Sequence, residues 1–185
     1  NVPTKKLSPQ EAVKMAQKKA SFGIAYTYSE PLVWYEYVRD TARLAHEEGL
    51  KNVLVTNGTI NPEPLKELLP YIDAVNLDIK AFTEEFYQEI CGGDFATAKQ
   101  SAEIIKKSGT HLELTTLIIP DLNGDPEDIR ELVDWIADLD SEIPLHLSRY
   151  FPHYKLDKPP TPKEKLYQAQ EIAEEKLANV YLGNI

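Results

Sequence analysis

Six short apolar segments alternate with segments of helical periodicity along almost the whole chain, and this alternation constrains the fold more than any other feature. A strand, a helical crossover and a second strand give parallel pairing, so the pattern predicts an α/β protein with a mostly parallel sheet and helices outside it. No linker or low-complexity stretch interrupts the pattern, which predicts one domain over residues 1–185. The predicted strands are Gly23–Tyr28, Asn52–Thr56, Ala74–Lys80, Leu112–Ile119, Leu145–Tyr150 and Val180–Leu182.

Two of the predicted helices begin with a strong capping signal. Ser8 with Glu11, and Thr161 with Glu164, both match the capping box, in which a hydroxyl and a carboxylate satisfy free backbone N–H groups. In both cases a proline follows the hydroxyl residue, at the first helical position. The predicted helices are Pro9–Ala20, Pro31–Glu48, Pro62–Leu69, Thr83–Ile90, Phe95–Lys107, Pro126–Leu139 and Pro162–Leu177.

Polar residues stand at the carboxyl ends of most of the predicted strands. Six β/α units fit either a doubly wound sheet or part of a TIM-type barrel. Strand ends converge on one face of a barrel, so the polar ends favour a partial (β/α)6 TIM-type barrel or an open arc of one. These residues are Ser29 and Glu30, Thr56 and Asn57, Asp78 and Lys80, Arg149 and His153, and Gly183 and Asn184.

The chain is acidic, with 30 Asp and Glu against 20 Lys and Arg and a formal net charge of −10. This charge argues against nucleic acid or an anionic membrane as the main partner, because both bind basic surfaces. No segment reaches the ~20 apolar residues of a membrane span and no secretory signal pattern is visible, which predicts a cytoplasmic protein. The single cysteine, Cys91, excludes disulfides and any zinc or iron–sulfur site built from this chain's own thiolates.

Three of the strand ends allow both a structural and a functional interpretation. Glu30 is either a carboxylate favoured near a helix N-terminus or the residue that takes the ammonium group of a ligand. Asp78 and Lys80 lie two apart in a strand, so their side chains point to the same face. They are either a structural ion pair, a pair that binds a ligand, or a Schiff-base lysine with a neighbouring carboxylate. Thr56–Gly58 is either an ordinary turn or a loop that a ligand approaches closely.

The four histidines match no metal-binding motif. His153 lies in a proline-flanked loop after the fifth strand and is the best histidine candidate for a site. His146 and Ser148 alternate with leucines in that strand, so we expect a polar residue of this strand to face the inside of a barrel.

Five of these motifs, in this order and at this spacing, resemble the radical S-adenosylmethionine (SAM) enzymes. The resemblance is to the AmmeMemoRadiSam-system type, which is related to pyruvate formate-lyase activating enzymes, and it covers nearly the whole chain. Each motif alone is weak, but the five together are specific. They are Tyr26–Pro31, Val55–Gly58, Val75–Lys80, Leu117–Pro120 and Val180–Asn184.

The resemblance implies a cofactor and a set of residues that hold it. Members of the family have a partial (β/α)6 barrel and bind SAM, and Ser29 with Glu30 matches the position that holds its amino group. Thr56 and Asn57 match the strand end beside the ligand, and Asp78 with Lys80 matches a pair that contacts SAM. Arg149 and His153 complete the implied set. Phe151 departs from the family pattern, since many relatives carry histidine there.

The family also carries a C-x-x-x-C-x-x-C loop after its first strand, whose three thiolates hold a 4Fe-4S cluster. This sequence contains no such loop, so the resemblance implies a partial barrel that lacks the first strand and the cluster loop. We therefore expect the chain to be the C-terminal part of a longer enzyme, or a natural relative without a cluster. In either case, we predict that the chain is catalytically inactive alone.

Three functions follow as hypotheses. The first is the SAM-binding barrel portion of a radical SAM enzyme, which in its intact form cleaves SAM reductively and abstracts hydrogen from a small molecule or a protein substrate. The second is a Schiff-base lyase that uses Lys80. The third is a non-catalytic module that binds SAM or serves as a scaffold. The sequence does not predict the oligomeric state.

Overall fold

The computed structural model describes residues 6–185, so that residues 1–5, the start of the predicted domain, lie outside the described residues. Six parallel strands form one sheet in the order β1 to β6, with every strand beside its neighbours in sequence. A doubly wound sheet reverses its strand order part-way, whereas a barrel does not. The sequential order therefore confirms the partial TIM-type barrel.

The strand and helix bounds are close to those that the sequence predicts. The strands are β1 (Gly23–Tyr26), β2 (Lys51–Thr56), β3 (Ala74–Asp78), β4 (His111–Ile118), β5 (Leu145–Arg149) and β6 (Val180–Gly183). The helices are α1 (Pro9–Lys18), α2 (Tyr35–Glu47), α3 (Pro62–Leu68), α4 (Glu84–Phe86), α5 (Phe95–Ser108), α6 (Pro126–Asp140) and α7 (Lys163–Glu174).

One face of the sheet is covered by helices and holds the core, and the other face is largely open. Side chains alternate along each strand, so every second residue is buried against the helices. In β4 this gives Leu112, Leu114 and Ile118 as buried residues, while Glu113 and Thr115 between them are half-exposed. We call the half-exposed face the concave face. Its polar residues are available to a ligand because no helix covers them.

The structure differs from the predicted elements at three places. β1 ends at Tyr26 rather than Tyr28, because Tyr28 and Ser29 adopt φ angles of 65° and 59°, which extended strands do not contain. A 3-10 turn over Pro31–Trp34 precedes α2. The helix predicted over residues 83–90 is α4 followed by a π-helical turn, Tyr87–Cys91, which ends at Gly92 with φ 65°.

The two predicted capping boxes have different outcomes. The Ser8–Glu11 box is present with both of its hydrogen bonds. The Thr161–Glu164 box is wrong, because Thr161 is completely buried and its hydroxyl is used elsewhere. Its Oγ1 donates to the carbonyl of Ile118 at 2.5 Å and accepts from the N–H of Tyr150 at 3.2 Å. Thr161 thus joins the ends of β4 and β5 instead of starting α7.

Among residues 6–185, no helix is long and apolar enough to cross a membrane.

Candidate functional site

Glu30 lies at the carboxyl edge of the sheet and joins the turn after β1 to the end of β2. Its Oε1 accepts hydrogen bonds from the N–H of Leu32 at 2.9 Å and from Oγ1 of Thr56 at 2.7 Å. Its Oε2 accepts from the N–H of Asn57 at 2.8 Å. The cap interpretation of Glu30 is therefore confirmed. A carboxylate offers about four acceptor positions, so one remains for a donor from a ligand.

The turn that carries Glu30 is held in an unusual backbone conformation. Tyr28 and Ser29 both have positive φ angles, a state that costs non-glycine residues on the order of 1 kcal/mol each. The hydrogen bonds of the half-buried Glu30 carboxylate offset this cost. The turn leaves Ser29 exposed beside Glu30, so that a ligand at the sheet edge has access to its hydroxyl.

Gly58 is required by the fold rather than by a ligand. It has a φ of 71°, and a Cβ there would lie 2.6 Å from Cδ1 of Leu77. Its N–H donates to Oγ1 of Thr56 at 3.1 Å, and its carbonyl accepts from Oγ of Ser101 at 2.7 Å. The space on its α-carbon is thus filled by the protein, which supports the interpretation of Thr56–Gly58 as a turn.

Asp78 and Lys80 form an ion pair at the end of β3, on the concave face. Oδ2 of Asp78 lies 2.7 Å from Nζ of Lys80, and both side chains are partly exposed. The backbone of Lys80 is held on both sides, since its N–H donates to Oη of Tyr87 at 3.0 Å and its carbonyl accepts from Nδ2 of Asn123 at 2.6 Å. Burial raises the pKa of Tyr87, which keeps its hydroxyl neutral. The two hydrogen bonds to the backbone of Lys80 therefore fix the position from which its side chain reaches Asp78.

The hydrogen bonds of Glu30 to the end of β2 and the Asp78–Lys80 ion pair at the end of β3 lie on neighbouring strands, at the same edge of the sheet. In the β2–β3 register Thr56 is the partner of Leu77, so Asn57 and Asp78 each follow one member of that pair. This arrangement brings a carboxylate, an amide and an ion pair to adjacent strand ends. Such a set can bind a ligand that carries ammonium, carboxylate and hydroxyl groups.

The structure does not join Arg149 or His153 to these groups. Within residues 6–185, no hydrogen bond or ion pair connects either of them to Glu30, Asp78 or Lys80. Nε of Arg149 donates to the carbonyl of Thr161 at 2.7 Å, and its guanidinium lies 4.8 Å from the ring centroid of Phe151. His153 is exposed in the loop after β5.

A second polar cluster on the concave face was not predicted from the sequence. Oε2 of Glu113 lies 2.8 Å from Nε2 of His146, and its Oε1 lies 3.0 Å from Nε2 of His111. The His146 ring stacks on Tyr181 with centroids 5.3 Å apart. Burial acts to raise the pKa of Glu113, but its hydrogen bonds with His111 and His146 outweigh this, and the pKa lies below its ordinary value. The alternation of polar and apolar residues in β4 and β5 is the sequence signal that could have indicated this cluster.

The residues of this chain do not fit an iron–sulfur cluster. Such a cluster is held by several cysteine thiolates, and the sequence contains only Cys91, which is exposed at the end of the π-helical turn. Within the described part of the chain, no group of three His, Cys, Asp or Glu side chains is arranged to hold a metal ion. The chain therefore has polar groups at its sheet edge but no set of ligands for the cluster.

A parallel sheet whose strands follow the order of the chain, with polar residues along its carboxyl edge, defines an incomplete (β/α) barrel. The model of the radical SAM superfamily matches residues 1–136. The chain belongs to the radical SAM superfamily.

Two relatives and one solved protein show how far the similarity extends. The chain is 42% identical over 187 residues to an uncharacterised protein of Methanocaldococcus jannaschii, covering 100% of this chain and 55% of that protein. It is 26% identical over 168 residues to the pyruvate formate-lyase 1-activating enzyme of Escherichia coli K12, covering 83% of this chain and 68% of the enzyme. Thus the chain spans about half the length of the first relative and about two thirds of the second.

The fold is shared with SuiB of Streptococcus suis, which has been solved in complexes. The complex with its precursor peptide SuiA has a TM-score of 0.78 at 15% identity and covers 100% of this chain and 44% of that one. The complex with S-adenosylmethionine has a TM-score of 0.75 at 13% identity and covers 99% and 44%. At these identities the similarity establishes the fold alone.

Proposed function

We propose that this chain is the SAM-binding portion of a radical SAM enzyme of the activating-enzyme type. The observation that carries the proposal is the pairing of the Glu30 carboxylate with the end of β2, next to the Asp78–Lys80 pair on β3. Members of the superfamily bind SAM, so we propose SAM as the ligand of these strand ends. The ligand's chemistry and the donor set of the sheet edge are complementary.

Each polar residue has a role that follows from its charge. Glu30 takes the ammonium group of SAM at its remaining acceptor position, with the Ser29 hydroxyl beside it. Asp78 accepts from hydroxyl groups of the ligand, and Lys80 pairs with its carboxylate. Thr56 and Asn57 hold the Glu30 carboxylate in place. Arg149 and His153 belong to the proposed set as peripheral contacts that would require movement of the loop after β5.

The chemistry of the intact protein is proposed from its family only. In that family a 4Fe-4S cluster supplies the electron that cleaves SAM, and the cleavage yields a radical that abstracts hydrogen from a substrate. This chain has one cysteine and does not hold that cluster, so we propose that it binds SAM and does not cleave it. The substrate of the intact protein is a small molecule or a polypeptide, and the peptide complex of SuiB supports the second.

Isothermal titration calorimetry of the chain with SAM tests the proposal. Wild-type chain binds SAM, and Glu30→Ala and Asp78→Ala each weaken binding by about tenfold, which corresponds to about 1.4 kcal/mol. Glu36→Ala removes an exposed carboxylate on α2 and leaves the affinity unchanged. Far-UV circular dichroism confirms that each variant is folded. Absence of SAM binding by the chain and by the full-length protein would overturn the proposal.

A non-catalytic SAM-binding module predicts the same titration, and the full-length protein separates the two functions. An enzyme, after anaerobic reconstitution with iron and sulfide and reduction, releases 5′-deoxyadenosine from SAM. A binding module releases none while keeping its affinity for SAM. We expect the same reconstitution of residues 1–185 alone to yield no 4Fe-4S absorption band.

A further inference from the structure

The segment from Arg149 to Lys165 differs in charge from the rest of the chain. It contains five basic side chains and two acidic ones, a net charge of +3 in a chain whose formal net charge is −10. The remaining residues therefore carry a net charge of −13, so positive charge is concentrated in one short segment. We call residues 149–165 the basic segment. Its charged residues are Arg149, Lys155, Lys158, Lys163 and Lys165, with Asp157 and Glu164.

Two aromatic rings of the basic segment are exposed and lie under cations. The Phe151 side chain is 48% exposed and the Tyr154 side chain 86% exposed. The guanidinium of Arg149 lies 4.8 Å from the Phe151 centroid, and Nζ of Lys155 lies 5.4 Å from the Tyr154 centroid. Tyrosine and arginine are the residue types that contribute most to protein interfaces. The segment thus presents apolar and cationic groups together.

The conformation of the basic segment is held by its own backbone contacts. His153 and Leu156 exchange two backbone hydrogen bonds of 3.2 and 3.3 Å, and Oη of Tyr150 donates to the carbonyl of Leu156 at 2.6 Å. Four prolines in the segment restrict the unbound chain further. A surface that is already ordered loses less conformational entropy when a partner binds.

Only some of the cations are neutralised within the protein. Lys158 lies 3.4 Å from Asp121 and Lys165 lies 3.8 Å from Asp125. Arg149, Lys155 and Lys163 form no ion pair with a carboxylate of residues 6–185. Three positive charges are therefore available to a negatively charged partner.

The basic segment begins at the carboxyl end of β5, on the same edge of the sheet as the candidate SAM site. A partner bound to it therefore lies at the same edge of the sheet as that site. The strongly acidic remainder of the surface repels long polyanions such as nucleic acids, whereas a short acidic stretch of polypeptide fits a segment of this size.

We propose that the basic segment is a docking surface for an acidic stretch of a polypeptide substrate. This inference rests on the proposed function, because it assigns a substrate to the enzyme whose SAM site lies at the same edge of the sheet. The carboxylates of the bound stretch pair with Lys155 and Lys163, and Phe151 and Tyr154 contact its apolar side chains. The overall composition does not predict such a surface, since the chain as a whole is acidic.

Fluorescence anisotropy with labelled peptides tests the docking surface. The probe is fluorescein-labelled octaglutamate, and the comparison probes are an uncharged glycine–serine octapeptide and an eight-nucleotide oligo(U). We expect wild-type chain to bind octaglutamate more tightly than either comparison probe, and added salt to weaken the binding. No binding of octaglutamate, or tighter binding of oligo(U), would overturn the proposal.

Two matched variants assign the binding to the segment. Lys155→Gln/Lys163→Gln weakens octaglutamate binding by about fivefold, as expected for the loss of two exposed charge pairs. Lys14→Gln/Lys18→Gln removes two exposed charges on α1, at the other end of the sheet, and changes the binding by less than twofold. Equal weakening by both double variants would contradict a localised surface.

The failures of the two proposals are distinguishable. SAM affinity is measured in the same preparations, and neither double variant touches Glu30, Asp78 or Lys80. If SAM binds and octaglutamate does not, the docking surface is wrong and the proposed function stands. If octaglutamate binds and SAM does not, the segment binds acidic peptides for another purpose, and the inference about a substrate is wrong.

Discussion

The carboxylate of Glu30 accepts a hydrogen bond of 2.7 Å from the hydroxyl of Thr56, a residue 26 positions later in the chain. The contact joins the turn after β1 to the end of β2. The candidate ligand residue is therefore also a structural residue, and its two contributions have to be separated by experiment.

The first prediction concerns the stability contribution of Glu30. In Glu30→Gln, an amide NH2 replaces one of two oxygens that both accept from protein donors. We expect the free energy of unfolding to fall by about 1–3 kcal/mol, because a donor then faces a donor. Urea denaturation measures this change in the free energy of unfolding. Thr56→Val keeps the bonds of Glu30 to Leu32 and Asn57, but it removes the bonds of its own hydroxyl to Glu30 and to the N–H of Gly58, and it should also cost about 1–3 kcal/mol. A wild-type midpoint for Glu30→Gln would contradict a structural role of this carboxylate.

The second prediction is a pH dependence of stability that originates at Glu113. Its pKa in the folded protein lies below the ordinary value of 4.5, so folding favours the ionised form. The contribution is present above about pH 5 and is lost as the pH falls through the lowered pKa. We expect Glu113→Gln to flatten the fall of the melting temperature between about pH 5 and pH 3. The exposed Glu131→Gln should keep the wild-type slope, and identical slopes for all three proteins would refute the prediction.

The third prediction concerns Asn52, a completely buried amide that joins β1, β2 and α2. Its Nδ2 donates to the carbonyls of Ala42 and Tyr71, both at 2.9 Å, and its Oδ1 accepts from Oη of Tyr26 at 3.0 Å. Asn52→Ala leaves these buried groups without partners and should cost about 3 kcal/mol in chemical denaturation. Tyr26→Phe removes only one of the bonds and should cost about 1 kcal/mol. A larger loss of unfolding free energy for Tyr26→Phe than for Asn52→Ala would contradict this network.

The fourth prediction concerns self-association along β1. Within the described residues β1 pairs only with β2, so its other edge presents free backbone groups. Phe22, just before it, is 83% exposed. Such an edge pairs readily with another chain, so we expect the average mass in light scattering to rise with concentration. Phe22→Lys should reduce the rise, since charge protects edge strands. A monomer of constant mass at millimolar concentration would exclude this association.

The fifth prediction separates the SAM-binding hypothesis from the Schiff-base lyase. Nζ of Lys80 is engaged with Asp78 at 2.7 Å, whereas a Schiff base requires a free amine. We expect borohydride reduction in the presence of pyruvate to leave the peptide that contains Lys80 unmodified in mass spectrometry. Lys155, which has no such partner within residues 6–185, serves as the internal comparison. Selective trapping at Lys80 that is lost in Lys80→Ala would establish the lyase instead.

The sequence predicted the order and type of the strands and longer helices because both depend on local periodicity. β2, β4 and β5 begin and end within one residue of the predicted positions, since their apolar residues face a buried layer. The capping box of Ser8 was predictable for the same reason, as all of its groups lie within four residues. The same periodicity placed Asp78 and Lys80 on one face.

The sequence did not predict features that depend on contacts between distant segments. Thr161 has the local pattern of a helix cap, but its hydroxyl bonds to Ile118 and Tyr150 because they lie closer in the folded sheet. The positive φ angles of Tyr28 and Ser29 are favoured by bonds from Glu30 to β2. The Glu113–His146 contact joins residues 33 positions apart. The roles of Ser29, Arg149 and His153 in ligand binding remain predictions.

The two ends of the loop after β5 are fastened to each other. Thr161 and Tyr150 are joined in both directions, by N–H to O at 3.1 Å and by N–H to Oγ1 at 3.2 Å, and Thr161 is tied further to β4. The ten residues between them can therefore change in length and composition while the barrel beneath stays intact. We therefore expect this loop to accept a grafted foreign segment without loss of the sheet.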